Sequence, residues 1–294
     1  MASLQDIRRR IHSVKNTSKI TKAMELVAGA KLRRAQVRIE ALRPFADGMH
    51  ELISEAAGRT TSLRNQPLLE RRDVQTTAIM LMSGDRGLAG AFNASVLRRA
   101  LDEAAAERAL GRDVVWYAVG RKGAGSLRFR GAEPRQSWTG FTDRPVYQDA
   151  EQIAHSLIAD YGDQAFDRLV MIFNHFDSPL VQTVYATEVL PVPLPERLTE
   201  LSARDRALMG ELLFEPDAEQ LLEPLLTTAL ETEIFRALLE STASEHGARM
   251  TAMRNASDNA RDLIDRLTLD MNRARQAEIT QQLLEVVAGA DALS

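Results

Sequence analysis

Cysteine is absent from all 294 residues, which removes disulfide frameworks, thiolate nucleophiles and Cys-based zinc or iron–sulfur sites, and suits a reducing compartment. Aromatic residues make up only 5% of the chain, so any core is built from small aliphatic side chains, and stacking platforms for bases are scarce. No stretch approaches the roughly 20 uninterrupted apolar residues that a bilayer crossing needs, and a soluble chain is expected. The fingerprints of several enzyme classes are missing too. Ser83, Gly84, Asp85, Arg86, Gly87, Leu88, Ala89 and Gly90 are spaced GxxGxxG rather than GxGxxG. They lack the Gly-Lys-Ser/Thr ending of a P-loop and read as a strand-to-helix turn. Gly120, Gly123 and Gly125 read as a sheet-edge loop. His12, His50, His155, His175 and His246 are scattered without an HExxH pair, and His175 beside Asp177 is too weak a pair for a Ser-His-Asp case. No catalytic, cofactor-binding or metal-ligating set is expected.

What is present is helix-forming composition and an uneven charge. Ala, Glu, Lys, Leu and Arg supply roughly half of the chain, a usage that favours long helices. Residues 1–43 carry eleven Lys or Arg against three acids, a net +8 that leaves −12 on the remainder to give the total of −4. This start is basic and amphipathic like a transit peptide, but Asp6, Glu25 and Glu40 interrupt it, so it reads as mature structure.

Ser3 followed by Asp6 resembles a capping box, and Leu4, Ile7, Ile11 and Val14 repeat at coiled-coil spacing. The next seam positions hold Ser18 and Thr21. Apolar residues then resume as Ile20, Met24 and Val27, and as Ala28, Leu32, Ala35, Ile39 and Leu42, which reads as a register slip. Pro44 is expected to kink or weaken the helix, and Gly58 to end it. In the middle, Thr77–Met82 and Asp113–Val119 flank a helical stretch from about Phe92 to Leu110, the alternation of a parallel sheet. A helix near Asp149–Tyr161, strands at Arg168–Phe173 and Leu180–Val189, and Pro191, Pro193 and Pro195 complete that region. From about Leu198 the chain is helical again, punctuated by Pro216 and Pro224. The residues after Leu225 allow one helix near 100 Å long at ~1.5 Å per residue. Its small or apolar positions, among them Ala229, Leu230, Ile234, Ala237, Leu238, Ala256, Ala260, Leu263, Leu267, Met271 and Ala274, can face the N-terminal helix.

The expected fold class is therefore α/β with long helices: an antiparallel coiled coil of N- and C-terminal helices with an inserted Rossmann-like α/β domain. Expected boundaries are 1–58 for the N-terminal helix, 74–195 for the α/β base and 205–294 for the C-terminal helix. Two runs, Ile20 to Gln36 and Ala248 to Asn259 with Asn272 to Gln281, place polar residues where a free helix pair prefers apolar ones, which suggests a surrounding partner. A nucleic-acid-binding coiled coil competes, since a +8 helix could neutralise phosphates. It lacks aromatic residues near the basic run, and its acidic remainder repels a polyanion. A dinucleotide-binding enzyme on the central sheet lacks its fingerprint.

These two runs, with the Asp85-Arg86-Gly87-Leu88 turn between them, resemble the gamma subunits of F-type ATP synthases over essentially the whole chain. Ala89 stands where the family pattern has a Cys, and the plant redox insert has no counterpart, so thiol regulation is not expected. The resemblance implies a central-stalk rotor that couples proton flow to nucleotide changes on partner subunits and has no active site of its own. Implied partners are the alpha and beta ring, the epsilon subunit and the membrane c-ring, with no nucleic acid. The implied location is peripheral, at the cytoplasmic face of a bacterial plasma membrane, with no cleaved presequence. By matching motifs, Lys22, Met24, Arg249, Gln276 and Thr280 are expected to face beta-subunit loops, and Arg33 and Arg34 to serve assembly.

Overall fold

The computed structural model describes residues 4–59, 66–193 and 218–291. The element order is α1 (Leu4–Arg59), β1 (Thr76–Met82), α2 (Phe92–Ala109), β2 (Asp113–Val119), α3 (Arg121–Phe129), β3 (Gln136–Trp138), α4 (Tyr147–Gly162), β4 (Arg168–Phe176), β5 (Gln182–Leu190) and α5 (Ala218–Asp291). The chain divides into two compact units, residues 1–29 with 249–294, and residues 30–248.

In the unit formed by 30–248, one five-stranded sheet has the order β3-β2-β1-β4-β5. β1 pairs in parallel with β2 and β4, β2 pairs in parallel with β3, and β5 runs antiparallel to β4. β1 and β4 are nearly continuous apolar runs because both sheet faces are covered, whereas the edge strand β5 alternates in exposure over its first residues. One face carries Ile79, Leu81, Trp116 and Ile172 against Val96, Ala100 and Ala104 of α2 and Leu127 of α3. The other carries Met80, Tyr117, Met171 and Phe173 together with α4 residues Ile153 and Leu157 and with Leu222, Leu226, Leu230, Ile234 and Ala237 of α5. Met49 and Ile53 of α1 join that same cluster. Leu230, Ile234, Ala237 and Leu238 thus belong to the core over the sheet rather than to a helix-pair seam.

Two elements depart from the sequence reading. The Gly120–Gly125 segment is not a loop: α3 begins at Arg121, because Gly120 at φ 88° turns the chain off β2 and Gly123 lets the helix approach Ser83. A Cβ at Gly123 would lie 2.6 Å from Ser83 Oγ, the atom to which Gly123 N–H donates at 2.8 Å. The three-residue β3 carries no readable period. Pro44 lies inside α1, which runs on to Arg59, and Pro224 lies inside α5. A proline removes one N–H and crowds one carbonyl. Burial of Met49 and Ile53 beyond Pro44, and of Leu222 and Leu226 around Pro224, holds both helices through the defect. Residues 198–217, where the helix was expected to resume and where Pro216 lies, fall outside the described residues, as does Ser3.

In the other unit, α1 and α5 run antiparallel. Thr21 lies beside Ser257, Glu25 beside Arg254 and Gly29 beside Met250. Among the buried or half-buried α1 positions, Leu4, Ile7, Ile11, Val14, Ser18, Thr21, Glu25 and Ala28 form an unbroken alternation of three and four, with Met24 and Gly29 half-buried beside it. No register slip occurs. Opposite them, Met253, Ser257, Ala260, Ile264, Leu267, Met271 and Ala274 are buried or half-buried, whereas Leu263 is exposed.

Candidate partner-contact surfaces

The uninterrupted seam inverts the usual distribution over three turns of α1. Inside it, the Thr21 and Ser257 hydroxyls lie 2.7 Å apart, one donating to the other, and the Ser18 carbonyl, 3.1 Å from Thr21 Oγ1 and 3.4 Å from Ser257 Oγ, accepts from the hydroxyl whose proton is left. One turn further, the Glu25 carboxylate is 5% exposed. It accepts from Lys22 Nζ at 2.9 Å and from Arg254 Nε at 3.2 Å. The Lys22 hydrogen bond is the chief cause that holds the Glu25 carboxyl below its ordinary range, against the opposing effect of burial. Outside the seam, Ile20, Leu26 and Val27 are 60%, 65% and 57% exposed. A helix pair left in water would place these residues the other way round.

α5 has a second exposed apolar surface. The pairing register sets Leu4 opposite roughly residue 275, and every residue from Arg275 to Leu284 is exposed. That stretch carries Ile279, Leu283 and Leu284, followed by exposed Val286.

The seven expected contact residues do not form one cluster. Lys22 is exposed and engaged with Glu25; Met24, two positions on, points elsewhere and is half-buried. Arg249 is buried at 8% exposure and already has an interaction partner. Gln276 and Thr280 lie roughly 40 Å further along α5 at ~1.5 Å per residue. Both are exposed on one helix face, and Thr280 Oγ1 donates back to the Gln276 carbonyl at 2.9 Å. Arg273, three before Gln276, shares that face and is also exposed.

Arg33 and Arg34 are exposed in the 30–248 unit and line a cleft of 570 Å³ with Lys31, Arg38, Asp143, Arg144 and His246. Asp143 is the acid in this basic lining. Burial opposes its ionisation, but Lys31, at 2.5 Å, overrides that and keeps its carboxyl below the usual range. Burial, then the nearby Arg144 charge, lowers the Arg38 guanidinium.

The glycine-rich turn after β1 has its amides engaged internally. Gly84 N–H donates to Asn93 Oδ1 and Asp85 N–H to Thr142 Oγ1, both at 2.9 Å. The Asp85 carboxylate accepts from the amides of Arg121 at 3.0 Å and Gly140 at 2.8 Å. A Cβ on Gly84 would lie 2.7 Å from the buried Glu245 carboxylate. The segment joins β1, α3 and the loop before α4, as a turn should. The histidines are less isolated than their spacing implies, because α5 supplies carboxylates from far along the chain: Glu240 to His175, and Glu231 to His155.

Terminal helices that pair antiparallel, with a mixed α/β unit between them in sequence and apolar faces left open, define the class of the chain: a long-helix α/β protein built for contact with other subunits. A model of the ATP synthase family matches residues 3–293. The ATP synthase gamma chain of Rubrobacter xylanophilus is 42% identical over 295 residues, covering 100% of this chain and 99% of that one. The gamma chain of Desulforamulus reducens is 43% identical, with both chains covered completely. Among solved structures, a chain of the Tetrahymena thermophila mitochondrial ATP synthase central stalk/c-ring aligns with TM-score 0.61 at 26% identity, over 81% of this chain and 99% of that one. A chain of the Euglena gracilis mitochondrial ATP synthase shares the fold with TM-score 0.66, at 18% identity, over 99% and 94%. The chain belongs to the ATP synthase gamma-chain family.

Proposed function

We propose that this chain is the central-stalk rotor of an F-type ATP synthase, a non-catalytic subunit whose turning couples proton flow to conformational change at catalytic beta subunits. The observation that carries this reading is the inverted segment from Ser18 to Ala28, where hydroxyls and an ion cluster fill the seam while Ile20, Leu26 and Val27 face outward. Such a helix pair is suited to a sleeve. A surrounding ring of alpha and beta subunits supplies the apolar environment that water does not, and the basic residues of α1 complement acidic groups on that ring.

In this reading Lys22, Met24, Arg249, Gln276 and Thr280 meet beta-subunit loops, and Arg33 and Arg34 help the ring to assemble. Arg249 acts from a buried position, so its contribution is to present the helix rather than to reach far from it. The α/β unit meets the epsilon subunit and the c-ring. Among the described residues no helix is long and apolar enough to cross a membrane; membrane attachment runs through the complex, at the cytoplasmic face of a bacterial plasma membrane.

The absence of cysteine gives a direct test. Phe129, 89% exposed at the end of α3, is replaced as Phe129→Cys and labelled as the sole thiol. The labelled chain is then assembled with an immobilised alpha-beta ring and ATP is added. Unidirectional stepping of the label is expected. A label that stays still while ATP is hydrolysed at the full rate overturns the proposal.

A further inference from the structure

We propose that Glu151, His155 and Glu231 form a binding site for a divalent transition-metal ion, with zinc the best fit. The proposal stands independently of the rotor reading. Glu151 and His155 are four apart on α4 and share a face, and Glu231 reaches them from α5. One ligand atom from each can be chosen so that all three lie within 4.8 Å of one another. His155 Nε2 and Glu231 Oε1 are 3.2 Å apart, close to the roughly 3.4 Å separation of two ligands on a tetrahedral ion with bonds of ~2.1 Å. Glu151, within 4.8 Å of both, is the third ligand and would have to close the remaining distance on binding.

Charge supplies the second, independent observation. Four other buried carboxylates are neutralised by fixed cations: Glu25 by Lys22 and Arg254, Glu107 by Arg112 and Arg168, Asp160 by Arg135, Glu240 by Arg236. Glu231 is 7% exposed, yet among the described residues its one ion-pair partner is His155, whose side chain is 59% exposed. A buried carboxylate without a permanent counter-charge is costly. Two carboxylates and a neutral imidazole carry two negative charges, which a dication balances. The carboxylate is also oriented for the task, since Tyr147 OH donates to Glu231 Oε2 at 2.7 Å and leaves Oε1 turned to His155. One imidazole and two carboxylates favour zinc or cobalt over the all-oxygen preference of calcium and magnesium. A bound ion would tie α4 to α5, and the exposure of His155 leaves it open to exchange.

The test strips the full chain with a chelator and titrates it with Co²⁺, followed by displacement with Zn²⁺. One Co²⁺ per chain is expected, with the intense visible absorption of a low-symmetry N/O site, and the melting temperature should rise with Zn²⁺. His155→Ala and Glu151→Gln should each weaken binding by at least about tenfold and abolish the melting shift. Their metal-free melting temperatures should match wild type; if one variant is destabilised, the other carries the comparison. Absence of saturable binding below about 100 µM, or equal binding by wild type and both variants, overturns the proposal.

Discussion

Ile20→Glu with Val27→Glu separates the two environments that the outward face of α1 can experience. In the free chain these side chains are 60% and 57% exposed. Surface substitutions of this kind change stability by only about ±0.5 kcal/mol, and Glu is the better helix former of the exchanged residues. Inside a sleeve the outcome reverses. Fully burying an Ile or Val side chain stabilises by about 1.5–3 kcal/mol, so covering the part still exposed is worth about 1–2 kcal/mol each. Losing both contacts costs about 2–4 kcal/mol before any penalty for burying carboxylates, which corresponds to roughly 30- to 900-fold weaker incorporation. The assay titrates a limiting alpha-beta ring with wild-type or variant chain and reads assembled complex by native electrophoresis, alongside urea unfolding of the free chains. Wild-type incorporation by a stable variant would refute the reasoning, and so would a free variant destabilised by well over 1 kcal/mol.

Gln276→Ala with Thr280→Ala should leave helix content and assembly intact while lowering ATP turnover and ATP-driven proton pumping per assembled complex; the loss should be modest, since a net hydrogen bond contributes ~0.5–1.5 kcal/mol. Wild-type values for both activities would remove these residues from the contact. Arg33→Glu with Arg34→Glu should impair assembly without unfolding the chain, because both are exposed; normal yield of complex counts against a role there. The Glu25 carboxyl is depressed from its ordinary 4.5, so its stabilisation is fully present above that pH and is lost as the pH falls through the lower folded value. Urea midpoints should therefore fall more steeply from pH 5 to pH 3 in wild type than in Glu25→Gln, and parallel curves would deny the linkage.

The sequence carried β1, β2, α2 and the antiparallel pairing of the terminal helices because each depends on a local period. It carried less where one residue answers to a distant one. Gly123 looks like a loop residue in isolation, but beside Ser83 and Leu81 it is the position where a helix needs no Cβ. Ser18, Thr21 and Glu25 continue the spacing of Leu4, Ile7, Ile11 and Val14, and counting three and four strictly would have kept the register. Following the apolar residues instead led to Ile20 and Val27, which lie on the opposite face. Of the carboxylates around His155 and His175, Glu151 and Asp177 are close in sequence, but Glu231 and Glu240 could not be read from spacing, since they arrive from another helix.

Polar seams and apolar exteriors are usually liabilities, yet here each compensates for the other. An all-apolar seam from Ser18 to Ala28 would add burial, but it would leave the register to side chains that tolerate sliding. Hydroxyls sharing one carbonyl, and a carboxylate bridging Lys22 to Arg254, fix one register because a slip of a single turn leaves buried polar groups unpaired. A pair held in register transmits torque instead of dissipating it as slippage between its helices. In the proposed sleeve the exterior has the opposite requirement, since it would be held by its partner without being locked. There Ile20, Leu26 and Val27, exposed in the chain itself, would supply non-directional contact that no fixed geometry defines, while directional bonding is confined to the seam, where movement would do harm. Specific bonds inside and an apolar face open to unspecific contact outside are therefore the combination that turning within the proposed sleeve requires.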